Sequence, residues 1–490
     1  MVLDKVKEEC GVFGFFDNDG FDVVRMTYYG LYALQHRGQE SCGIAVNDDG
    51  VITVHKGKGL VNEVFDSENI QELKGRMAVG HVLYSTSKFQ REDCQPLVSR
   101  YIKGSLTIAL NGNLTNAYEL RTMLEQEGAV FQSSSNAEII MHLAARARTK
   151  THSIEEAMLK VLPRLEGAFS LVIMSPRKII AIRDPKGFRP LCLGKLKNSY
   201  IIASETAALD VIRAEFLRDV EPGEMVIINE EGLKSVKYAD DPNPSLCVFE
   251  YIYFARPDSV IDGVSVYQAR VQTGKLLAKA HPVEADIVVG VPDSGLSFAV
   301  GYAQESGIPY GEGLIKNRYT GRTFIKPTQN EREISVSMKL NVLKNNIKGK
   351  RVILIDDSIV RGTTCANLIK LFRDAGATEI HMRVASPPFL WPCYFGTDIP
   401  SRKELIAVQY TLEEIRQKIG ADTLGYLPLE DIKNIGLRTD MGYCDACFSG
   451  RYSISKLPKN VPAPSKTQEE IIYDNSRRSI KDFKIIKAYT

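Results

Sequence analysis

The pattern of apolar and polar positions changes character once along the chain. Through the first half, apolar residues come in short runs bounded by Gly, Asp, Asn and Lys: 12–16, 43–46, 51–55, 77–80, 106–110, 170–174, 179–182 and 225–228. Runs of this length, rich in β-branched and aromatic residues, predict strands. Helical spacing over 117–126, 137–147 and 154–165 predicts helices inserted among them, and hence an antiparallel α+β layering. The turn-rich stretch Asp240-Asp-Pro-Asn-Pro244 reads as a junction. Beyond it the periods alternate: strand 285–291, helix 296–304, strand 351–355, helix 366–375, strand 380–385. Such alternation predicts a parallel, doubly wound sheet. From Lys456 onward, Pro458, Pro462, Pro464 and a charged segment predict a docked or partly disordered tail over 456–490.

Composition narrows the class. The 490 residues are 44% hydrophobic and 25% charged, enough for two to four ordinary domains at about 150 residues each. Lys plus Arg (62) nearly balances Asp plus Glu (60), a net charge of +2 that offers no footprint for nucleic acid and no basic run for a membrane surface. No apolar stretch approaches the roughly 18 residues of a spanning helix. The start of the chain lacks the apolar core of a secretion signal, so the expected location is the cytoplasm. Nine cysteines, an odd number and few for this length, argue against a disulfide framework. Cys42, Cys94, Cys192 and Cys365 stand singly among apolar or small residues and are assigned to packing.

The sharpest chemical feature is Val352-Ile-Leu-Ile-Asp-Asp-Ser-Ile-Val-Arg-Gly-Thr-Thr364. An apolar strand ends in two carboxylates, and a short loop then opens a helix whose N–H groups and Thr hydroxyls can cradle a phosphate. It is not a G-x-x-x-x-G-K-[ST] loop. Paired acids beside a phosphate would repel it unless they bind its hydroxyls or a divalent cation, as a ribose phosphate allows. Asp356 and Asp357 acting only as helix caps is the bland alternative, which the pair followed by Gly-Thr-Thr disfavours. The stretch resembles the loop that binds phosphoribosyl pyrophosphate (PRPP) in the type I phosphoribosyltransferases. The resemblance implies that Asp356 and Asp357 hold the ribose, directly or through Mg²⁺, and that Ser358, Ile359, Val360, Arg361, Gly362, Thr363 and Thr364 hold the 5′-phosphate. It also implies that Val291-Pro-Asp-Ser-Gly295, with Asp293, Ser294 and Gly295, is a second phosphate-binding turn, Ser294 joining the Mg²⁺ sphere. Lys316-Asn-Arg-Tyr-Thr-Gly-Arg-Thr-Phe324 reads as a basic lid, with Lys316, Arg318 and Arg322 over pyrophosphate, rather than a solvated loop.

Cys10 alone would be a buried thiol. With Leu34-Gln-His-Arg-Gly-Gln39, Gly80-His-Val-Leu-Tyr-Ser-Thr86, Asn111-Gly-Asn-Leu-Thr-Asn116 and Arg183-Asp-Pro-Lys-Gly-Phe-Arg-Pro190, it closely resembles the class II, N-terminal-nucleophile glutamine amidotransferases. The resemblance implies a four-layer αββα domain over 10–240, exposed at Cys10 when residues 1–9 are removed, followed by a phosphoribosyltransferase domain over 245–455. A freed α-amine, with a pKa near 7.7–8.0, can take the thiol proton, and Asn111 with the Gly112 N–H fits an oxyanion hole. Asn-Gly is also a hairpin-turn signature.

Cys444-Asp-Ala-Cys447 is a chelating pair, and Cys247 and Cys393 stand apart. Spacing alone does not separate zinc from iron–sulfur. The resemblance implies a [4Fe–4S] cluster on Cys247, Cys393, Cys444 and Cys447, in a structural or oxygen-sensing role. It further implies a homotetramer, inhibition by purine nucleotides, and the opening step of purine synthesis: glutamine-derived ammonia displacing pyrophosphate from PRPP.

Three positions depart from the glutaminase pattern. Leu83 stands where an Arg binds the glutamine carboxylate, Asn136 where an Asp binds its ammonium, and Leu110 where a His precedes Asn-Gly-Asn. Arg37 remains as a glutamine-binding candidate, and Lys88 or Arg91 could supply a cation. The first two departures, at Leu83 and Asn136, fall on charge partners of glutamine, where a hydrogen bond to a charged group contributes about 1.5–3 kcal/mol, so each of those losses predicts roughly ten- to a hundredfold weaker glutamine binding. Free ammonia as nitrogen donor is therefore the alternative expectation. A non-catalytic PRPP or nucleotide sensor is a third, opposed by the intact acid pair and lid.

Overall fold

The computed structural model describes residues 10–84, 91–239, 244–317, 340–399, 401–436 and 442–454. The leader, Lys88, lid residues Arg318 and Arg322, most of the junction, and the tail lie outside them.

The strands of the first half are β1 (Gly11–Phe16), β2 (Ser41–Asp48), β3 (Val51–Lys58), β4 (Met77–Leu83), β5 (Leu97–Tyr101), β6 (Gly104–Leu114) and β7 (Gly167–Ser175). They continue with β8 (Lys178–Arg183), β9 (Cys192–Leu196), β10 (Ser199–Ala203), β11 (Glu215–Asp219), β12 (Glu224–Asn229) and β13 (Gly232–Lys237). One sheet runs β11-β9-β10-β1-β4-β2-β3 and the other β13-β12-β8-β7-β6-β5. Val12, Phe16, Ala45 and Val79 of the first sheet meet Ala109, Val172, Ala181 and Val226 of the second in one core. Phe13 and Phe15, on the opposite face of β1, pack against helix α1 (Val23–Ala33). Helices α2 (Ala117–Gln126), α3 (Asn136–Arg148) and α4 (Ile154–Val161) cover the outer face of the second sheet. The layers are thus αββα. The central strands β1, β4, β7 and β8 are covered on both faces and read as continuous apolar runs, whereas β3, β11 and β13 are largely exposed.

One alternative falls and one expectation shifts. Asn111 and Gly112 are not a turn: they lie inside β6, paired with Ser170 and Phe169 of β7. The helix expected to reach residue 165 ends at Val161, where Pro163 follows in a short 3₁₀ turn.

The second half contains β14 (Ser245–Cys247), α5 (Val266–Ala280), β15 (Ile287–Gly290), α6 (Gly295–Ser306), β16 (Arg351–Asp356), α7 (Thr363–Asp374), β17 (Glu379–Val384), β18 (Thr423–Tyr426) and β19 (Gly442–Cys444). Strands β15-β16-β17-β18 form a wholly parallel sheet. Val288, Ile353 and Ile355 feed one core, and Val289, Val352 and Leu354 the opposite one. Helix α7 begins three residues earlier than its apolar spacing predicts, inside the acid-bearing loop. No helix among the described residues is long and apolar enough to cross a membrane.

Candidate active sites

The first site sits at the carboxyl ends of β15 and β16, where open α/β sheets bind ligands. Pairing sets Gly290 beside Ile355, so the two following loops leave the sheet side by side. Only glycine fits at 295, because an added Cβ would stand 2.4 Å from the Ile355 carbonyl oxygen. Asp356 and Asp357 are buried, at 3% and 0% exposure. The hydroxyls of Ser294 and Ser358 donate to opposite oxygens of Asp357, the latter at 2.6 Å, and the Asp357 N–H donates to Asp356 Oδ1 at 2.9 Å. Gly362, at φ +84°, turns the chain into α7, so that the backbone at Thr363 and Thr364 opens the helix. Ile359 and Val360 anchor the loop in the two cores. At the rim, Arg361 pairs with Glu404 at 2.6 Å and Lys316 pairs with Asp293.

The second site surrounds Cys10, which precedes β1 and is 8% exposed. Its thiol donates to the Tyr84 carbonyl at 3.8 Å, just past Leu83 at the end of β4. Leu83 is buried and apolar. From the facing sheet comes Asn111, 0% exposed, with neither its Nδ2 nor its Oδ1 hydrogen-bonded. An unpartnered buried carboxamide is costly, and a catalytic role is one of the few reasons a protein keeps one. Gly112 takes φ +129°, and a Cβ there would lie 2.2 Å from the Ala168 carbonyl oxygen. His81 ties the sheets together, its Nε2–H donating to the Leu110 carbonyl at 2.9 Å, while burial pushes its pKa down to about 4. Asn136 opens α3, its Nδ2 donating to Asn113 Oδ1 at 2.6 Å, and Asn113 Nδ2 donates to the Tyr394 carbonyl at 3.0 Å.

Arg37, expected at the glutamine carboxylate, is spent elsewhere. Its side chain is fully buried, and its guanidinium goes to Glu205 and Glu250. Burial disfavours its charge, but Glu250 and Glu205 hold it protonated. Its remaining Nε–H donates to the Cys10 carbonyl at 3.3 Å.

Glu205 and Glu250 did not emerge from the sequence. A carboxylate inside the apolar run Val248-Phe-Glu-Tyr-Ile252 was the available signal for the second.

The third place is an apolar cavity lined by Phe188, Phe249 and Phe395 together with all four expected thiols, Cys247, Cys393, Cys444 and Cys447. Parallel pairing of β14 with β19 sets Cys247 opposite Cys444. Burial pushes the Cys247 thiol up to about 12 and raises Cys444 and Cys447 as well, the neighbouring thiols adding to each shift. A single zinc, with Zn–S bonds near 2.3 Å, would draw four sulfurs to within about 3.8 Å of one another. Among the described residues no group of three or more His, Cys, Asp or Glu converges tightly enough to hold one ion. The thiols instead ring a space.

Residues 84–211 match the glutamine amidotransferase domain family and residues 273–386 the phosphoribosyl transferase domain family. The amidophosphoribosyltransferase of Bacillus subtilis strain 168 is 49% identical over 453 residues, 91% of this chain and 94% of that protein. That of Archaeoglobus fulgidus is 49% identical over 449 residues, covering 91% and 98%. A solved structure, the glutamine PRPP amidotransferase of B. subtilis complexed with ADP and GMP, superposes with a TM-score of 0.85 at 48% identity, covering 92% of this chain and 99% of that one. A second, described as the allosteric regulatory enzyme of purine biosynthesis, gives 0.86 at 47% identity over 92% and 98%. With both domain families in one chain and near-complete coverage of relatives at this identity, the chain belongs to the amidophosphoribosyltransferases, which open purine synthesis by moving ammonia from glutamine onto PRPP.

Proposed function

We propose that the two reactions of this enzyme run at the two sites described, glutamine hydrolysis at Cys10 and phosphoribosyl transfer at Asp356 and Asp357. The observation that carries the first assignment is the Asn111 carboxamide, buried with both polar atoms unpartnered beside Gly112. Removal of residues 1–9 frees the Cys10 α-amine, which takes the thiol proton as sulfur attacks the glutamine carboxamide carbon. The oxyanion gains hydrogen bonds from Asn111 and the Gly112 N–H. Collapse breaks the C–N bond, the proton leaves with ammonia, and water hydrolyses the thioester to glutamate. Arg37 serves by holding the Cys10 carbonyl, and Asn136 offers its Oδ1 to the substrate ammonium.

At the second site, ammonia forms the C–N bond at C1 of PRPP as the C1–O bond to pyrophosphate breaks, giving 5-phosphoribosylamine. Asp356 and Asp357 bind the ribose hydroxyls, residues 358–364 the 5′-phosphate, and Asp293, Ser294 and Gly295 with Lys316, Arg318 and Arg322 the pyrophosphate. The oxygen donors Ser294, Asp356 and Asp357 suit Mg²⁺, which when bound would neutralise charge on the departing pyrophosphate. The four thiols around one apolar cavity suit a [4Fe–4S] cluster, held by Cys247, Cys393, Cys444 and Cys447 in a structural or oxygen-sensing role. We assign 10–240 and 245–455 to the two domains, cytoplasmic residence, a homotetramer, and inhibition by purine nucleotides, the B. subtilis enzyme having been solved with ADP and GMP.

Buried, apolar Leu83 beside Cys10 favours a second reading, in which free ammonia is the working donor. Anaerobic pyrophosphate release from PRPP and Mg²⁺, with glutamine and ammonium titrated separately, decides. Saturation by glutamine at about millimolar concentration or below supports the first reading, turnover with ammonium alone supports the second, and no release with either refutes both.

A further inference from the structure

We propose that Glu250, contributed by the phosphoribosyltransferase half, is a positioning residue for the thiol of the other half, acting through Arg37. The inference rests on Cys10 as the glutaminase nucleophile. Arg37 lies between two carboxylates, one from each half. Its Nη1 reaches Glu205 Oε1 at 2.6 Å and Glu250 Oε2 at 2.9 Å, and its Nη2 reaches Glu250 Oε1 at 2.8 Å. Glu250 thus takes both prongs of the guanidinium, the arrangement that fixes the plane of the group as well as its position. That plane aims the remaining Nε–H at the Cys10 carbonyl, 3.3 Å away.

Glu250 is itself held. Arg189 donates to its Oε1 at 3.2 Å, and the far side of Arg189 grips the Phe395 carbonyl and Thr397 hydroxyl, each at 3.1 Å. The turn that Glu250 opens, Glu250–Phe254, is clamped by Arg270 of α5, which donates to the carbonyls of Tyr251, Tyr253 and Ala255. Arg37, Glu205, Glu250 and Arg189 are all fully enclosed. Because these side chains are enclosed and hold one another directly, a change at Glu250 is passed to Arg37 and from there to Cys10. An ion pair serving only to close the interface would not need this third contact.

Displacement of a nucleophile by a fraction of an ångström lowers the rate of attack more than substrate affinity. In the full-length enzyme, Glu250→Gln keeps the shape and removes the charge, and Glu250→Asp keeps the charge while shortening the reach by one methylene. The expected result for Glu250→Gln is a fall of about 10–100-fold in glutamine-dependent kcat, with glutamine KM changed less than about threefold and ammonium-dependent turnover within about twofold of the parent. Alkylation of Cys10 by iodoacetamide, followed by peptide mass spectrometry, slows in parallel. Glu250→Asp recovers part of both and supplies the measurement if the Gln variant does not fold. Equal falls in glutamine- and ammonium-dependent turnover, or no fall in either variant, would overturn the proposal. Failure of Cys10→Ala to abolish glutamine use would instead overturn the nucleophile assignment beneath it.

Discussion

Asn111→Ala separates catalysis from stability at a single side chain. A buried carboxamide is normally hydrogen-bonded, and truncating one strands its partners at about 1–3 kcal/mol each. Asn111 is fully buried, yet neither polar atom has a partner among the described residues, so truncation strands nothing. It relieves an unpaid desolvation of about 1–3 kcal/mol, and the void it leaves, roughly 25 Å³, costs about 0.6 kcal/mol. The net is expected to lie between neutral and about 2 kcal/mol stabilising. Catalysis moves the other way, since losing one oxyanion donor costs about 2.7–4 kcal/mol, or 10²–10³ in kcat. The assays are thermal unfolding of parent and variant, and glutamine-dependent phosphoribosylamine formation at saturating PRPP. A fall of several degrees in midpoint would mean that the amide is structural. A glutamine-dependent kcat within about threefold of the parent would remove it from the oxyanion site.

Leu83→Arg tests whether the glutaminase pocket lacks a cation. It is expected to lower glutamine KM roughly 10–100-fold with little change in kcat, and an unchanged KM in steady-state kinetics would show that another group already serves. Asp357→Asn leaves one acceptor where two hydroxyls, Ser294 and Ser358, now donate to a carboxylate. PRPP KM should rise about 10–100-fold, while iodoacetamide still labels Cys10 at the parental rate; equal PRPP KM values would take Asp357 out of the ribose site. Burial holds His81 at a pKa of about 4 against an ordinary value of 6.5, so the unfolded chain binds the extra proton between those limits. His81 therefore contributes stability that is fully present above pH 6.5 and lost as pH falls toward 4, about 3 kcal/mol in all. In denaturant titrations across this range, His81→Gln should flatten the slope, and an unaltered slope would show that other groups carry it.

What could be read from the sequence was whatever local chemistry encodes. The acid pair was legible because an apolar strand, two carboxylates and Gly-Thr-Thr are contiguous, and the parallel sheet because buried strands alternate with helices. The four thiols were legible as a set only through the resemblance, since Cys247 and Cys444 become neighbours through the pairing of β14 with β19, strands nearly 200 residues apart. Asn111-Gly112 misleads as a turn because the dipeptide suits one; here it continues β6, and the positive φ of Gly112 answers to the Ala168 carbonyl rather than to a hairpin. Arg37 was legible as a site residue but not in its role. Sequence shows a charge and not its partners, and those partners lie 168 and 213 residues away.

Buried charge pairs join the two halves. Arg37, Arg183 and Arg189 of the first half are all fully buried. They meet Glu250, Asp262, Phe395 and Thr397 of the second, Arg183 holding both oxygens of Asp262 at 2.8 Å. Glu205 answers in the opposite sense, accepting from the Ser259 hydroxyl and the Arg256 N–H. Replacing such pairs by apolar residues is often neutral, but breaking one partner strands a buried charge at about 3–5 kcal/mol. The joint therefore adds little net stability yet penalises any relative shift that separates a fork from its carboxylate. A seam with that property suits ammonia transfer, in which the two sites must stay in register while a small neutral molecule passes between them. It also explains why the charges at the seam are arginines. A lysine would tolerate rotation about its single ammonium, whereas a two-pronged guanidinium resists it.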